Sequence, residues 1–197
     1  MKSYSKFIFV FLIYSSSFFN AYSIEPDIFV QSTVNRASKI LSQDLSKEEK
    51  IDELKMIAEE TVDIRGIGFY TLGGARKSLD DKDREKYSKL FKKYFLKSFS
   101  SRLAEYTNPE IDVQGKKVLN ENYTIVNSVL KGTNERPEIK IDWRIYTKKP
   151  EKPLIRDLIV EGLSLARTQK EEFSSILNSN KNDIKILINK LDDFVNN

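Results

Sequence analysis

Ser164 stands in Gly162-Leu-Ser-Leu-Ala166, after an apolar run with strand spacing and ahead of a helical one. A nucleophile elbow presents its serine in that setting. The base is missing, because the chain contains no histidine, and Ala166 replaces the elbow's second glycine. Cysteine is absent as well. Together these absences exclude Ser-His-Asp and Cys-His catalysis, thiol redox chemistry, iron-sulfur clusters and the usual zinc sites. Ser128-Val-Leu-Lys131 has Ser-x-x-Lys spacing, but it falls in a strand pattern without the companion motifs of the penicillin-binding enzymes, so the match is chance. Asp80, Asp81, Asp83 and Glu85 offer oxygens for a calcium ion. An EF-hand loop needs glycine at its sixth position and glutamate at its twelfth, which Glu85 and Phe91 do not supply. Acidic residues in the first turn of a helix explain the cluster better, and Asp192-Asp193 reads as a solvated helix face. The residues point to a protein that is not an enzyme and needs no cofactor or metal.

The aromatic supply is larger than a small core requires. Phe91, Tyr94, Phe95 and Phe99 share one helix face, while Phe69, Tyr70, Tyr123, Trp143, Tyr146 and Phe173 lie on other elements. Any one of them more often packs in a core than binds a ligand. A curved sheet roofed by such a helix can instead leave an apolar pocket. Periodicity alone does not separate a filled layer from a hollow one.

The elements that position these residues follow from period and punctuation. Pro26 to Leu41 has Val30, Val34, Ala37 and Leu41 at helical spacing. Ser46-Lys-Glu-Glu49 is a capping box ahead of Ile51, Leu54, Ile57, Ala58 and Thr61. Asp63 to Leu72 is a short helix carrying Gly66 and Gly68, with Gly73-Gly74 beyond it. Asp81 to Tyr106 is the strongest helix, and Asn108-Pro109 ends it. The period then changes to two. Glu110 to Val118, Tyr123 to Lys131, Glu138 to Thr147 and Leu154 to Val160 read as four strands of an antiparallel meander. Ile139, Ile141, Trp143 and Ile145 alternate with Lys140, Asp142 and Arg144, the pattern of a half-buried strand. Gly162 to Leu177 and Asp183 to Val195 close the chain as helices. The expected fold is α+β, a curved antiparallel sheet of about four strands covered by helices on one face, with an apolar cavity between them.

Met1 to Lys6 is short and basic, Phe7 to Tyr14 reads FIFVFLIY, and Ala21-Tyr22-Ser23 has small residues where a signal peptidase inspects them. The apolar run is far shorter than the ~20 residues that span a bilayer. Residues 1–23 are therefore expected to be a cleaved signal peptide, and 24–197 a single released domain of 174 residues. A chain of that size buries roughly 70% of its unfolded surface, so it needs no disulfide. Removal of Lys2 and Lys6 lowers the net charge from +4 to +2, and basic and acidic residues are interspersed throughout. A nucleic-acid binder has a basic stripe, so nucleic acid is not an expected partner.

Several stretches resemble the MlaC family, the toluene-tolerance type of periplasmic phospholipid-binding protein. They are Asp63-Ile-Arg-Gly-Ile-Gly-Phe-Tyr-Thr-Leu72-Gly73, Leu79 through Phe95 to Tyr106, Ile141-Asp-Trp-Arg-Ile145, Asp157-Leu-Ile-Val-Glu-Gly-Leu-Ser-Leu165 and Gln169 to Leu177. The likeness runs from about residue 27 to the C-terminus. It departs at Gly74-Ala75-Arg76-Lys77, where the family has Arg-Tyr-Trp-Arg, and at Pro153, which stands where an aromatic is usual.

The resemblance implies a periplasmic shuttle that carries phospholipid between an outer-membrane lipoprotein complex and an inner-membrane ABC transporter with an MCE-domain ring, maintaining outer-membrane lipid asymmetry. On that reading the helices offer Phe69, Leu72, Phe91, Tyr94, Phe95, Phe99, Leu165 and Phe173 to the acyl tails. The sheet offers Val126, Ile141, Trp143, Ile145 and Val160, with Leu163 following it. Two alternatives stay open: a different apolar cargo such as a hopanoid, and an exported protein-interaction module with a filled core.

Overall fold

The structure is a computed structural model that describes residues 23–134 and 136–196; residues 1–22, most of the expected signal peptide, lie outside the described residues. Among the described residues are six α-helices and a five-stranded antiparallel sheet.

Local chemistry places the helix starts. Helix α1 (Pro26–Ser42) begins on a proline, whose fixed φ suits the first helical position. Helix α2 (Lys47–Thr61) has the reciprocal capping box: the Glu49 N–H donates to Ser46 Oγ at 3.2 Å, and the Ser46 N–H donates to Glu49 Oε2 at 2.9 Å. Helix α3 (Ile64–Thr71) is capped by Asp63, and a 3-10 turn at Gly73–Lys77 follows it. Helix α4 (Asp81–Leu103) is capped by Asp80, whose Oδ1 accepts the Asp83 N–H at 2.7 Å. The acidic cluster thus serves a helix start. Helix α4 stops three residues before the expected Tyr106, in a turn where the Tyr106 N–H bonds the Leu103 carbonyl. Helices α5 (Leu165–Ser179) and α6 (Ile184–Asn196) are joined through Lys181 and Asn182, both at positive φ.

Strands β1 (Ile111–Asn120), β2 (Tyr123–Leu130), β3 (Ile139–Tyr146) and β4 (Leu154–Val160) form a meander in sequence order. Irregularities in β1 and a bulge in β4 opposite Arg144/Ile145 bend and twist the sheet. A short fifth strand joins the four expected. Glu161 (φ 48°) and Gly162 (φ 82°) form a two-residue hairpin loop, and β5 (Leu163–Ser164) pairs back on β4. Positive φ at two successive residues is incompatible with a right-handed helix, so α5 starts at Leu165 rather than at Gly162.

Register decides which residues share a face. Val126 pairs with Trp143 and Thr124 with Ile145, and all four are buried. This side of the sheet meets Tyr87, Leu90, Phe91 and Leu96 of α4, Phe173 and Leu177 of α5, and Leu187, Ile188 and Leu191 of α6 in one apolar cluster. On the other side of β2, β3 and β4, Ile125, Arg144 and Asp157 lie in register.

Candidate ligand-binding site

The expected lining residues fall into three groups. Leu72, Phe91, Val126, Trp143, Ile145 and Phe173 are buried in the cluster between helices and sheet. Phe69, Tyr94, Phe95, Phe99 and Ile141 are partly buried and pack against it, and Val160 is half-buried. Leu163 and Leu165 are 60% and 42% exposed, because the β4–β5 hairpin turns them outward. Sequence alternation read the stretch as strand running straight into helix and did not register that turn.

Phe91 is the hub of the layer. Its ring stacks on Tyr87 at 5.8 Å, lies 6.0 Å from Tyr94 and 6.3 Å from Phe95, and meets Phe173 edge-on at 6.2 Å. Offset and edge contacts of this kind are the favoured aromatic arrangements. The polar tips are satisfied: Tyr87 Oη bonds Thr71 Oγ1 and donates to the Gly68 carbonyl, and Tyr94 Oη donates to Gln169 Oε1 at 2.8 Å. Burial pushes both phenols above their ordinary pKa, with Glu172 adding to the effect at Tyr94. Trp143 Nε1 donates to Ser128 Oγ at 2.8 Å, and that hydroxyl donates to the Ile141 carbonyl. Ser128 is thereby a structural serine, and Lys131 pairs with Glu110 instead. Roof and floor are in contact here, Phe91, Val126 and Ile145 being no more than 2% exposed.

Beside this layer is a recess of about 300 Å³ between α3, the start of α5 and the sheet. Ile67 and Ala166, both members of the apolar cluster, reach into it, and Tyr70, Leu119 and Tyr123 flank it. Arg144, Arg156 and Asp157 supply its charge. Asp63 uses one carboxylate oxygen to cap α3, accepting the Gly66 N–H at 2.8 Å, and the other to pair with Arg156 at 2.5 Å. That contact is an ion pair whose N–H does not point at the oxygen. The Arg156 guanidinium also lies 4.5 Å from the Tyr146 ring centre. Asp157, 5% exposed, takes the Ser164 hydroxyl at 2.6 Å and the Ala166 N–H at 3.0 Å.

Sequence reasoning missed this recess. Arg144 read as a solvent-facing alternate of β3, and only the bulge in β4 brings Arg156 beside it. No spacing rule announces a bulge. The groups gathered in the recess and the layer can hold an apolar body and an anion.

An open antiparallel sheet under helices, an aromatic layer between them and a charged recess at its side define an α+β binding fold. Residues 31–193 match the family model described as MlaC protein, and the chain belongs to the MlaC family. Among solved structures, the chain is similar to the phospholipid-binding protein from Ralstonia solanacearum in complex with a phospholipid. The TM-score is 0.74 at 16% identity, over 87% of this chain and 97% of that one. No curated protein matches the chain. No helix among the described residues is long and apolar enough to cross a membrane.

Proposed function

We propose that the protein is a periplasmic lipid carrier, exported by its first 23 residues and working as one domain over 24–197. It takes phospholipid between an outer-membrane lipoprotein complex and an inner-membrane ABC transporter with an MCE-domain ring, and so maintains outer-membrane lipid asymmetry. The observation that carries the reading is the continuous aromatic and aliphatic layer from α4 to the sheet, in a fold shared with a phospholipid-bound structure.

The physical need is plain. Two acyl chains expose roughly thirty methylenes to water, at about 0.8 kcal/mol each, or on the order of 20 kcal/mol. A layer of apolar side chains that parts around the tails removes that cost. Phe91, Tyr94, Phe95, Phe99 and Phe69 contact the tails from the helical side, and Val126, Ile141, Trp143, Ile145 and Val160 from the sheet. Leu72 and Phe173 close the far end, while Leu163 and Leu165 stand at the exposed hairpin. The chain acts by binding and release and not as an enzyme.

Mass spectrometry of organic extracts from the purified protein tests the reading. Stoichiometric phospholipid is the expected result; a hopanoid in its place would redirect the cargo, and a reproducibly empty protein would overturn the proposal.

A further inference from the structure

The recess beside α3 contains a charge that the apolar layer does not use. We infer that it seats a single oxyanion, a phosphodiester or carboxylate, at the head of an apolar ligand, with Arg144 as its principal partner. The inference rests on the lipid-carrier reading for the ligand's tails but has its own geometric basis.

Accounting for hydrogen-bond partners within the recess isolates Arg144. Arg156 is matched by Asp63, held over Tyr146 and reaches Tyr123 Oη at 3.5 Å. Asp157 lies across from Arg144 in the strand register, yet both its oxygens are taken, by the Ser164 hydroxyl and the Ala166 N–H. The Arg144 side chain forms no ion pair or hydrogen bond among the described residues, and its Nε is buried without a partner. A buried donor on a cation is costly to leave unmet, and a guanidinium fork fits an oxyanion with two parallel bonds. Asp157 balances the formal charge of Arg144 across the strand, so what the recess leaves open for an oxyanion is the guanidinium's unmet donors.

The remaining walls argue for an amphiphile. Tyr70 and Leu119 flank the recess at 40% and 46% exposure, and the Lys170 ammonium lies 5.2 Å from the Tyr70 ring centre. Some 300 Å³ suits a head group and not a two-chain lipid. Ile67 and Ala166 belong both to the recess and to the apolar cluster, so the recess borders the layer at these two side chains. Gly66 makes room for the Asp63–Arg156 pair at the wall of the recess, since a Cβ there would fall 2.8 Å from Arg156 Cζ and 2.6 Å from Asp63 Oδ2.

The test follows the Arg144 Nε–H resonance by NMR in the wild-type protein stripped of lipid, assigned by its loss in Arg144→Lys. Three probes are titrated: dihexanoyl phosphatidylglycerol, dihexanoylglycerol without a phosphate, and inorganic phosphate. The expected result is a shift with phosphatidylglycerol and none with the neutral diacylglycerol. A shift with inorganic phosphate of comparable affinity also supports an oxyanion seat and assigns it to the free ion rather than to a lipid head group. In Arg144→Gln, affinity for phosphatidylglycerol should fall about tenfold, the loss of one charge-assisted contact, with diacylglycerol affinity unchanged. If Trp143 fluorescence reports tail binding while the Arg144 resonance ignores every anionic probe, the inference fails and the carrier reading stands. If neither signal responds, both fail.

Discussion

Ser164 Oγ donates to Asp157 Oδ2 at 2.6 Å while it accepts the Arg167 N–H at 3.1 Å. One hydroxyl thus ties the first turn of α5 to a buried carboxylate of β4. The serine that most resembled a nucleophile is a helix cap, held by these two hydrogen bonds. Ser164→Ala should cost ~1–2 kcal/mol in chemical denaturation, from the lost cap and the under-satisfied Asp157, with co-purifying lipid retained. Unchanged stability would mean that the hydroxyl is not part of the scaffold.

Gly68 and Phe91 meet where α3 crosses α4. A Cβ at Gly68 would stand 2.7 Å from Phe91 Cδ1, too close without displacing the hub ring. Gly68→Ala is expected to destabilise by ~1–3 kcal/mol, as overpacking does. Phe91→Ala, which empties the same place, should cost ~3–5 kcal/mol. Thermal melts of the two variants check the order. A neutral Gly68→Ala would show that the layer yields easily, which a carrier can use.

Trp143 is the only tryptophan, so its emission reports one position on the sheet side of the layer. Phospholipids with brominated acyl chains should quench it on binding, since the bromine comes within contact distance of the indole. Binding without quenching would put the tails elsewhere.

Stability should fall at both ends of the pH range. Lys116 bonds Asp27 at 2.8 Å and also pairs with Glu25, joining β1 to the start of α1. The hydrogen bond from Lys116 holds the Asp27 carboxyl below its ordinary 3.8, so that contribution is present above pH 3.8 and is lost as pH falls further. Lys116 is raised above 10.5 by the same bond, so its share is complete below that pH and is lost as pH rises. The pair is solvent-screened and contributes well under ~1 kcal/mol. Burial raises Tyr87 above its ordinary 10.0, so its stabilisation is whole below pH 10 and declines above it. In urea titrations from pH 3 to pH 11, Lys116→Met should flatten the acid limb and Tyr87→Phe the alkaline one. An alkaline limb unaltered in Tyr87→Phe would assign that loss to other groups.

Much of the fold was legible because its signals are short-range. Ser46 with Glu49, Pro26 and the acidic start at Asp80–Asp81 announce helix beginnings within a few residues of chain. The alternation of Ile139, Ile141, Trp143 and Ile145 announces a strand with one buried face. The resemblance carried by Asp63–Gly73 and Asp157–Leu165 led to the family, and the match over residues 31–193 bears it out. The β4–β5 hairpin was not legible, because Gly162 serves equally as a helix opening or as a left-handed turn until β4 presents an edge for Leu163 and Ser164 to pair with.

By itself the sequence determined the absence of imidazole and thiol chemistry, the helix caps, the strand period and the apolar helix face. Each depends on residue type or on neighbours a few positions apart. Only the tertiary structure decided that Arg144 and Arg156 share a recess, that Asp157 takes the Ser164 hydroxyl, and that Phe91 faces Gly68 and Phe173. These meetings join segments far apart in the chain, and they turn on a strand register and one bulged residue in β4. A single added residue reverses which face a side chain joins, and no local pattern encodes that choice.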